Sequence, residues 1–257
     1  MFNFYNNNGY IVLPTLFSEE EKKKLVEYVT EIESWEETKG KWMKYYELNK
    51  DTNEKQLCRT EHFLPYHSKL NDILKSNKVM NTLEHLLGHP VYIYKDKINF
   101  KYSGGNGFLP HQDAPAFVGQ GQLNHITMSI SIDKTTKENG CLEFAINKKD
   151  IWKNKISLDT NNNGCIKDIS EFEWLPIESE PGDVVVFGSY IPHKSGPNNT
   201  NNSRRTLYLT YNPVSEGDRY FEYNIDKRKH FPPEIERIPN TDYSQGEKVY
   251  NVANPII

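Results

Sequence analysis

The chain has 257 residues, 36% hydrophobic and 26% charged, with a formal net charge of −4 at pH 7. That balance excludes a nucleic-acid binder working by phosphate neutralisation, so any basic site must be local. Three widely spaced cysteines, Cys58, Cys141 and Cys165, exclude a disulfide framework or a zinc knuckle and suit a reducing compartment.

The N-terminus lacks the basic and apolar regions of a signal peptide, and no apolar run approaches the ~20 residues that span a bilayer. A cytoplasmic protein with no membrane or nucleic-acid partner, monomeric or homodimeric, is the expectation. After a polar Asn cluster, Tyr10-Ile11-Val12-Leu13 reads as a short strand. Ser18 and Glu21 form a capping box, and Leu25, Val26, Val29 and Ile32 recur at helical spacing, so a helix is predicted over about 19–34. Residues 35–57 mix Trp35, Trp42, Tyr45 and Tyr46 with charges, and periodicity decides nothing there. One or two helices are predicted over 68–87, closed by Gly88 and Pro90.

From residue 91 the pattern becomes strand-like: Val91–Tyr94, Ile98–Tyr102, Leu123–Asp133, Cys141–Ala145, Asp183–Ser189 and Arg204–Asn212. Glu138-Asn139-Gly140 and Glu180-Pro181-Gly182-Asp183 are turn signals. The fold expected is mainly β with flanking helices around a jelly-roll, double-stranded β-helix core. Residues 1–257 form a single domain, with a helical cover mainly over 18–88 and the β core mainly over 90–213. The 16 Tyr and 12 Phe supply its apolar bulk.

Pro110-His111-Gln112-Asp113 follows the glycine-rich turn Ser103–Gly107. On extended backbone His111 and Asp113 point to one side and can reach one metal ion. Alone, His-x-Asp is a weak signal, because loop Asp and His often only shape turns. His193 ends the turn and buried strand that begin at Pro181; it is either a surface residue or a third ligand. Two histidines and one carboxylate make the facial triad of non-haem Fe(II) sites, with positions left open for co-substrate and oxygen. Arg204 and Thr206 share one strand face opposite Leu207 and Leu209. An inward Arg is costly unless it meets an anion. A guanidinium beside a hydroxyl suits the distal carboxylate of 2-oxoglutarate. Otherwise Arg204 and Arg205 are solvated charges.

With Glu138-Asn139-Gly140-Cys141-Leu142-Glu143, Pro181-Gly182-Asp183, His193-x-Ser195-Gly196 and Arg204, the His-x-Asp stretch resembles the phytanoyl-CoA dioxygenase family of Fe(II)/2-oxoglutarate oxygenases. Lys101-Tyr102-x-Gly104-Gly105, Pro110–Ala116, Pro192–Asn198 and Arg204–Asn212 resemble more closely its 2-aminoethylphosphonate dioxygenase branch. The tract Ala145–Lys149 departs from the Pro-Gly-Ser-His turn of many relatives. The resemblance implies that His111, Asp113 and His193 bind Fe(II), that Arg204, Thr206 and Ser195 hold 2-oxoglutarate, and that O2 is consumed, with ascorbate as reductant in vitro. Arg59 aligns loosely with a co-substrate contact, or else meets a phosphonate, and Glu61 an amine. His62, Lys101, Gln112, His125 and Thr127 are further candidates near the substrate, and the Asn run at 161–163 is a candidate lid. The implied reaction is hydroxylation of a small molecule, 2-aminoethylphosphonate or a related aminophosphonate, at the carbon next to phosphorus. Alternatives are a family hydroxylase of another metabolite (acyl-CoA, amino acid or natural-product intermediate), a non-catalytic β-barrel binding protein, or a cupin-type isomerase, whose usual extra His is missing here.

Overall fold

The computed structural model describes residues 2–118, 121 and 124–257. In chain order the elements are α1 (Phe2–Asn8), β1 (Tyr10–Leu13), α2 (Glu19–Ser34), β2 (Met43–Leu48), β3 (Lys55–Glu61), α3 (Ser68–Leu74), α4 (Asn77–Leu87), β4 (Val91–Lys101), β5 (Phe108–His111) and α5 (Ala114–Val118). They continue as β6 (Ile126–Ser131), β7 (Leu142–Ala145), α6 (Lys149–Lys153), β8 (Trp174–Ile177), β9 (Val184–Gly188), β10 (His193–Ser195), β11 (Arg204–Pro213), α7 (Tyr220–His230) and α8 (Ser244–Tyr250). A seven-stranded sheet, in the order β1-β9-β6-β11-β4-β3-β2, faces a four-stranded sheet, β5-β10-β7-β8. All pairings are antiparallel, giving the jelly-roll core with flanking helices.

Period-two alternation sorts the large sheet into two faces. Ile98, Ile126, Met128, Ile130, Val184, Val186, Leu207 and Leu209 form the outer face and are fully buried. They pack against Leu25, Val29 and Ile32 of α2, Leu70 and Leu74 of α3, and Val79, Leu83 and Leu86 of α4. Each such side chain contributes about 1.5–3 kcal/mol by burial. The Ser18 capping box is present, with Glu21 N–H donating to Ser18 Oγ and Ser18 N–H to the Glu21 carboxylate at 2.8 Å. Gly88 closes α4 at φ 82°. Arg205 is not a solvated charge: it donates to both Asp133 oxygens at 2.8 and 2.9 Å and to Glu33 at 3.0 Å, fastening α2 to β11.

The inner face is polar. Across β3, β4, β11 and β6 the register places Arg59, Asn99, Thr206 and Ser131 in one row, and Glu61, Lys97, Tyr208 and Ser129 in the next. Val185, Phe187 and Tyr208 close the space against Leu142, Phe144 and Ile177 of the small sheet.

The structure corrects or completes the sequence expectations in five places. The Asn-rich start is helix α1, anchored by buried Tyr5. The stretch 35–57, which periodicity left open, contains most of the hairpin β2–β3 (Met43–Glu61) at the edge of the large sheet. The two strands expected over 91–102 are one, β4. The strand expected from Leu123 begins at Ile126, and Leu123 itself lies outside the described residues. Helices α7 and α8 lie beyond the expected β core, and α7 carries buried polar groups, Asn224 and Lys227, that mask its apolar period. Among the described residues no helix is long and apolar enough to cross a membrane.

Candidate active site

His111 closes β5, Asp113 follows two residues on, and His193 opens β10. His111 and His193 are paired directly across β5 and β10, with ring centroids 4.2 Å apart. One ligand atom from each of the three lies within 4.8 Å of the others, and His193 Nε2 is 4.0 Å from Asp113 Oδ2. His111 Nδ1 is 2.7 Å from the Leu109 carbonyl, and His193 Nδ1 is 3.0 Å from the Ile191 carbonyl. Each contact fixes a proton on Nδ1 and turns the Nε2 lone pair inward, as in metal-binding imidazoles. Burial, with His193 beside it, lowers the His111 pKa to about 3, and burial also lowers that of His193. Burial would raise the Asp113 pKa, but His193, Lys95 and Lys97 hold it well below the carboxylate range. Two neutral imidazoles and one carboxylate are the donor set of a non-haem iron site.

The triad opens on a narrow cavity of about 70 Å³. Arg59 and Glu61 line it, tied together at 3.3 Å. Arg59 also donates to Asn99 at 2.9 Å and to Asn254, and Lys227 donates to Glu61 at 2.5 Å. Burial would raise the Glu61 pKa, but Lys227 and Arg59 bring it down to about 2. Its charge is therefore spent within the wall.

The other expected residues are dispersed. Gln112 lines the cavity, yet its amide donates to the Ile156 and Tyr190 carbonyls and its oxygen accepts from Leu158 N–H, so it works as a clamp. Lys101 lies buried outside the cavity lining and donates to Ser195 Oγ at 2.9 Å and the Gly196 carbonyl at 2.5 Å. Burial and then the nearby Arg204 push its pKa down. The backbone there is tight: Gly140, at φ +79°, would drive a Cβ to 2.2 Å from the Gly196 carbonyl. Arg204 Nε and Thr206 Oγ1 are buried without a hydrogen-bond partner. Thr127 bonds Thr210 at 3.1 Å. His125 packs on Tyr94 and Phe117. His62 packs on Tyr66 and Tyr220, outside the cavity lining.

Sequence reasoning missed Lys95, Lys97, Tyr208, Tyr223, Lys227, Tyr250 and Asn254, which also line the cavity. Parity on β4 was the available signal, since Lys95, Lys97, Asn99 and Lys101 share one face opposite Ile98 and Phe100. The Asn run contributes Asn161 and Asn162 to a neighbouring cavity beside α8, whereas the main cavity is walled by Val249, Tyr250 and Val252.

The family model described as phytanoyl-CoA dioxygenase (PhyH) matches residues 5–206. A 2-aminoethylphosphonate dioxygenase of the uncultured bacterium HF130_AEPn_1 is 42% identical over 252 residues, covering 98% of this chain and 95% of the relative. A methylphosphonate hydroxylase of Gimesia maris is 41% identical, covering 95% of this chain and 89% of the relative. The solved structure of EctD from S. alaskensis with 2-oxoglutarate and 5-hydroxyectoine shares the fold, with TM-score 0.66 at 20% identity, covering 82% of this chain and 74% of that one. With its triad in place and such relatives along nearly all of its length, the chain belongs to the phytanoyl-CoA dioxygenase family and is a non-haem iron, 2-oxoglutarate-dependent dioxygenase.

Proposed function

We propose that the chain hydroxylates a small phosphonate, 2-aminoethylphosphonate or a related aminophosphonate, at the carbon next to phosphorus. The observation that carries this reading is the triad opening on a cavity walled by cations, in a chain whose relatives include a 2-aminoethylphosphonate dioxygenase and a methylphosphonate hydroxylase.

His111 and His193 would hold iron through Nε2, and Asp113 through its carboxylate. Bound there, iron with 2-oxoglutarate and oxygen supplies the oxidising power that no side chain has. The residues do the rest. The unpartnered Arg204 Nε and Thr206 Oγ1 are donors waiting for an anion, because a buried polar atom left unpaired is costly. They fit the distal carboxylate of 2-oxoglutarate, with Ser195 and Lys101 beside them. Arg59 stands in the cavity wall, bonded to Asn99. Phe108, Phe117 and Phe187, with Val249 and Tyr250 of α8, keep water from the reacting carbon. The three cysteines are buried and free, which suits a cytoplasmic enzyme.

One observation favours a second substrate. Glu61, the residue expected to meet an amine, is committed to Lys227 and Arg59, which favours a phosphonate without an amine, such as methylphosphonate. Succinate release from 2-oxoglutarate with Fe(II), ascorbate and oxygen separates the readings. Stimulation by 2-aminoethylphosphonate over methylphosphonate supports the first reading and the reverse order the second. Absence of stimulation by either rejects both.

A further inference from the structure

We infer that Lys95 and Lys97 form the subsite that grips the phosphonate group of the substrate. The inference rests on the phosphonate reading above and names the residues that would enforce it.

The two lysines lie two apart on β4, so their side chains leave the same face of the strand, and both line the cavity that holds the triad. Neither ammonium makes a hydrogen bond or ion pair with another described residue. Each rests on aromatic rings instead. Lys95 Nζ is 4.5 Å from the Phe117 ring centre and 5.9 Å from that of Tyr223, and Lys97 Nζ is 5.0 Å from that of Tyr208. A ring face attracts a cation but carries no charge to neutralise it. Burial lowers the pKa of both, that of Lys97 to about 7, as expected of cations without counter-ions.

The nearby carboxylates cannot serve. Glu61 is taken by Lys227 and Arg59, and Asp113 belongs to the triad. Four cations line the cavity (Arg59, Lys95, Lys97, Lys227) against two carboxylates (Glu61, Asp113), a surplus of two. A phosphonate dianion matches that surplus of two. A neutral substrate leaves the surplus standing, and a monocarboxylate meets half of it. Two ammonium groups spaced along one strand suit three tetrahedrally arranged oxygens better than one planar carboxylate.

The experiment compares Lys95→Met and Lys97→Met with the wild type in the coupled assay, resolving the KM for phosphonate from that for 2-oxoglutarate. A lost hydrogen bond to a charged group predicts that each substitution raises the phosphonate KM by about tenfold or more, well beyond any rise for 2-oxoglutarate. Lys97→Arg should recover most of the loss. A rise confined to the 2-oxoglutarate KM would transfer the lysines to the co-substrate and overturn the assignment, while the functional reading stands if the wild type still turns over phosphonate. Failure of the wild type with every phosphonate rejects that reading itself. A second measurement needs no variant: 3-aminopropanoate, the carboxylate counterpart of 2-aminoethylphosphonate, should compete with it about tenfold or more weakly than methylphosphonate does. Equal competition would overturn the two-lysine subsite.

Discussion

The two faces of the seven-stranded sheet are made by the same strands, alternate residues serving each. On the outer face Ile98, Met128, Val186, Leu207 and Leu209 meet the apolar stripes of α2, α3 and α4. On the inner face the same strands present Lys97, Asn99 and Tyr208 to a cavity, with Arg204 Nε and Thr206 Oγ1 on the same face left unsatisfied. One face gains stability from each side chain it buries, and the other spends some of it to hold groups ready for ligands. The comparison predicts that substitutions separate into two classes with little overlap.

The largest effect belongs to the inner side. His111→Ala should reduce succinate formation to background while the melting temperature stays within a few degrees, checked by anaerobic iron titration and thermal unfolding. Retained turnover would remove His111 from the iron site. On the outer face, Leu209→Ala should cost about 2–5 kcal/mol in denaturant unfolding and leave the KM values of the surviving folded fraction near wild type. A selective loss of co-substrate affinity would blur the division between the faces. Thr206→Val sharpens the division further, since it removes a buried hydroxyl without a partner. Folding should be neutral or favoured by up to about 1 kcal/mol, while the 2-oxoglutarate KM rises several-fold; a stability loss would mean that the hydroxyl is satisfied in solution.

The last effect is one of pH. Lys97 titrates near 7 in the folded protein against 10.5 ordinarily, so the folded state resists its charged form. That penalty is complete below pH 7 and fades as the pH rises from about 7 to about 10. The unliganded wild type should therefore gain stability over this window relative to Lys97→Met, while its affinity for an anionic substrate falls. Parallel pH–stability curves for the two proteins would remove Lys97 as the titrating group.

The strand β11 and the helix α2 were legible because charge and apolar residues alternate at one clear period in each. The triad was legible because His111 and Asp113 have the right parity and His193 ends an apolar strand. The hairpin β2–β3 was not, because Lys44, Glu47, Arg59 and Glu61 are buried polar residues whose partners lie on distant segments. Glu61 meets Lys227, which is 166 positions away. Lys95 and Lys97 went unremarked in the sequence for the same reason. A lysine in a strand signals solvent unless the opposing sheet is known, and nothing local announces that the small sheet closes over this face. Helix α7 hid its role by burying Asn224 and Lys227 alongside Tyr220 and Tyr223.

Both iron-facing imidazoles are steered by a backbone carbonyl two residues earlier in the chain, that of Leu109 for His111 and that of Ile191 for His193. Among the described residues no side chain hydrogen-bonds to either ring. Evolutionary drift elsewhere in the sequence thus has little leverage on them, since a mutation can change a side chain but seldom a peptide carbonyl. The opposite wall is composed entirely of exchangeable side chains. A lineage built on this scaffold can therefore revise what it oxidises, one lysine or aromatic at a time, and inherit its metal chemistry unaltered.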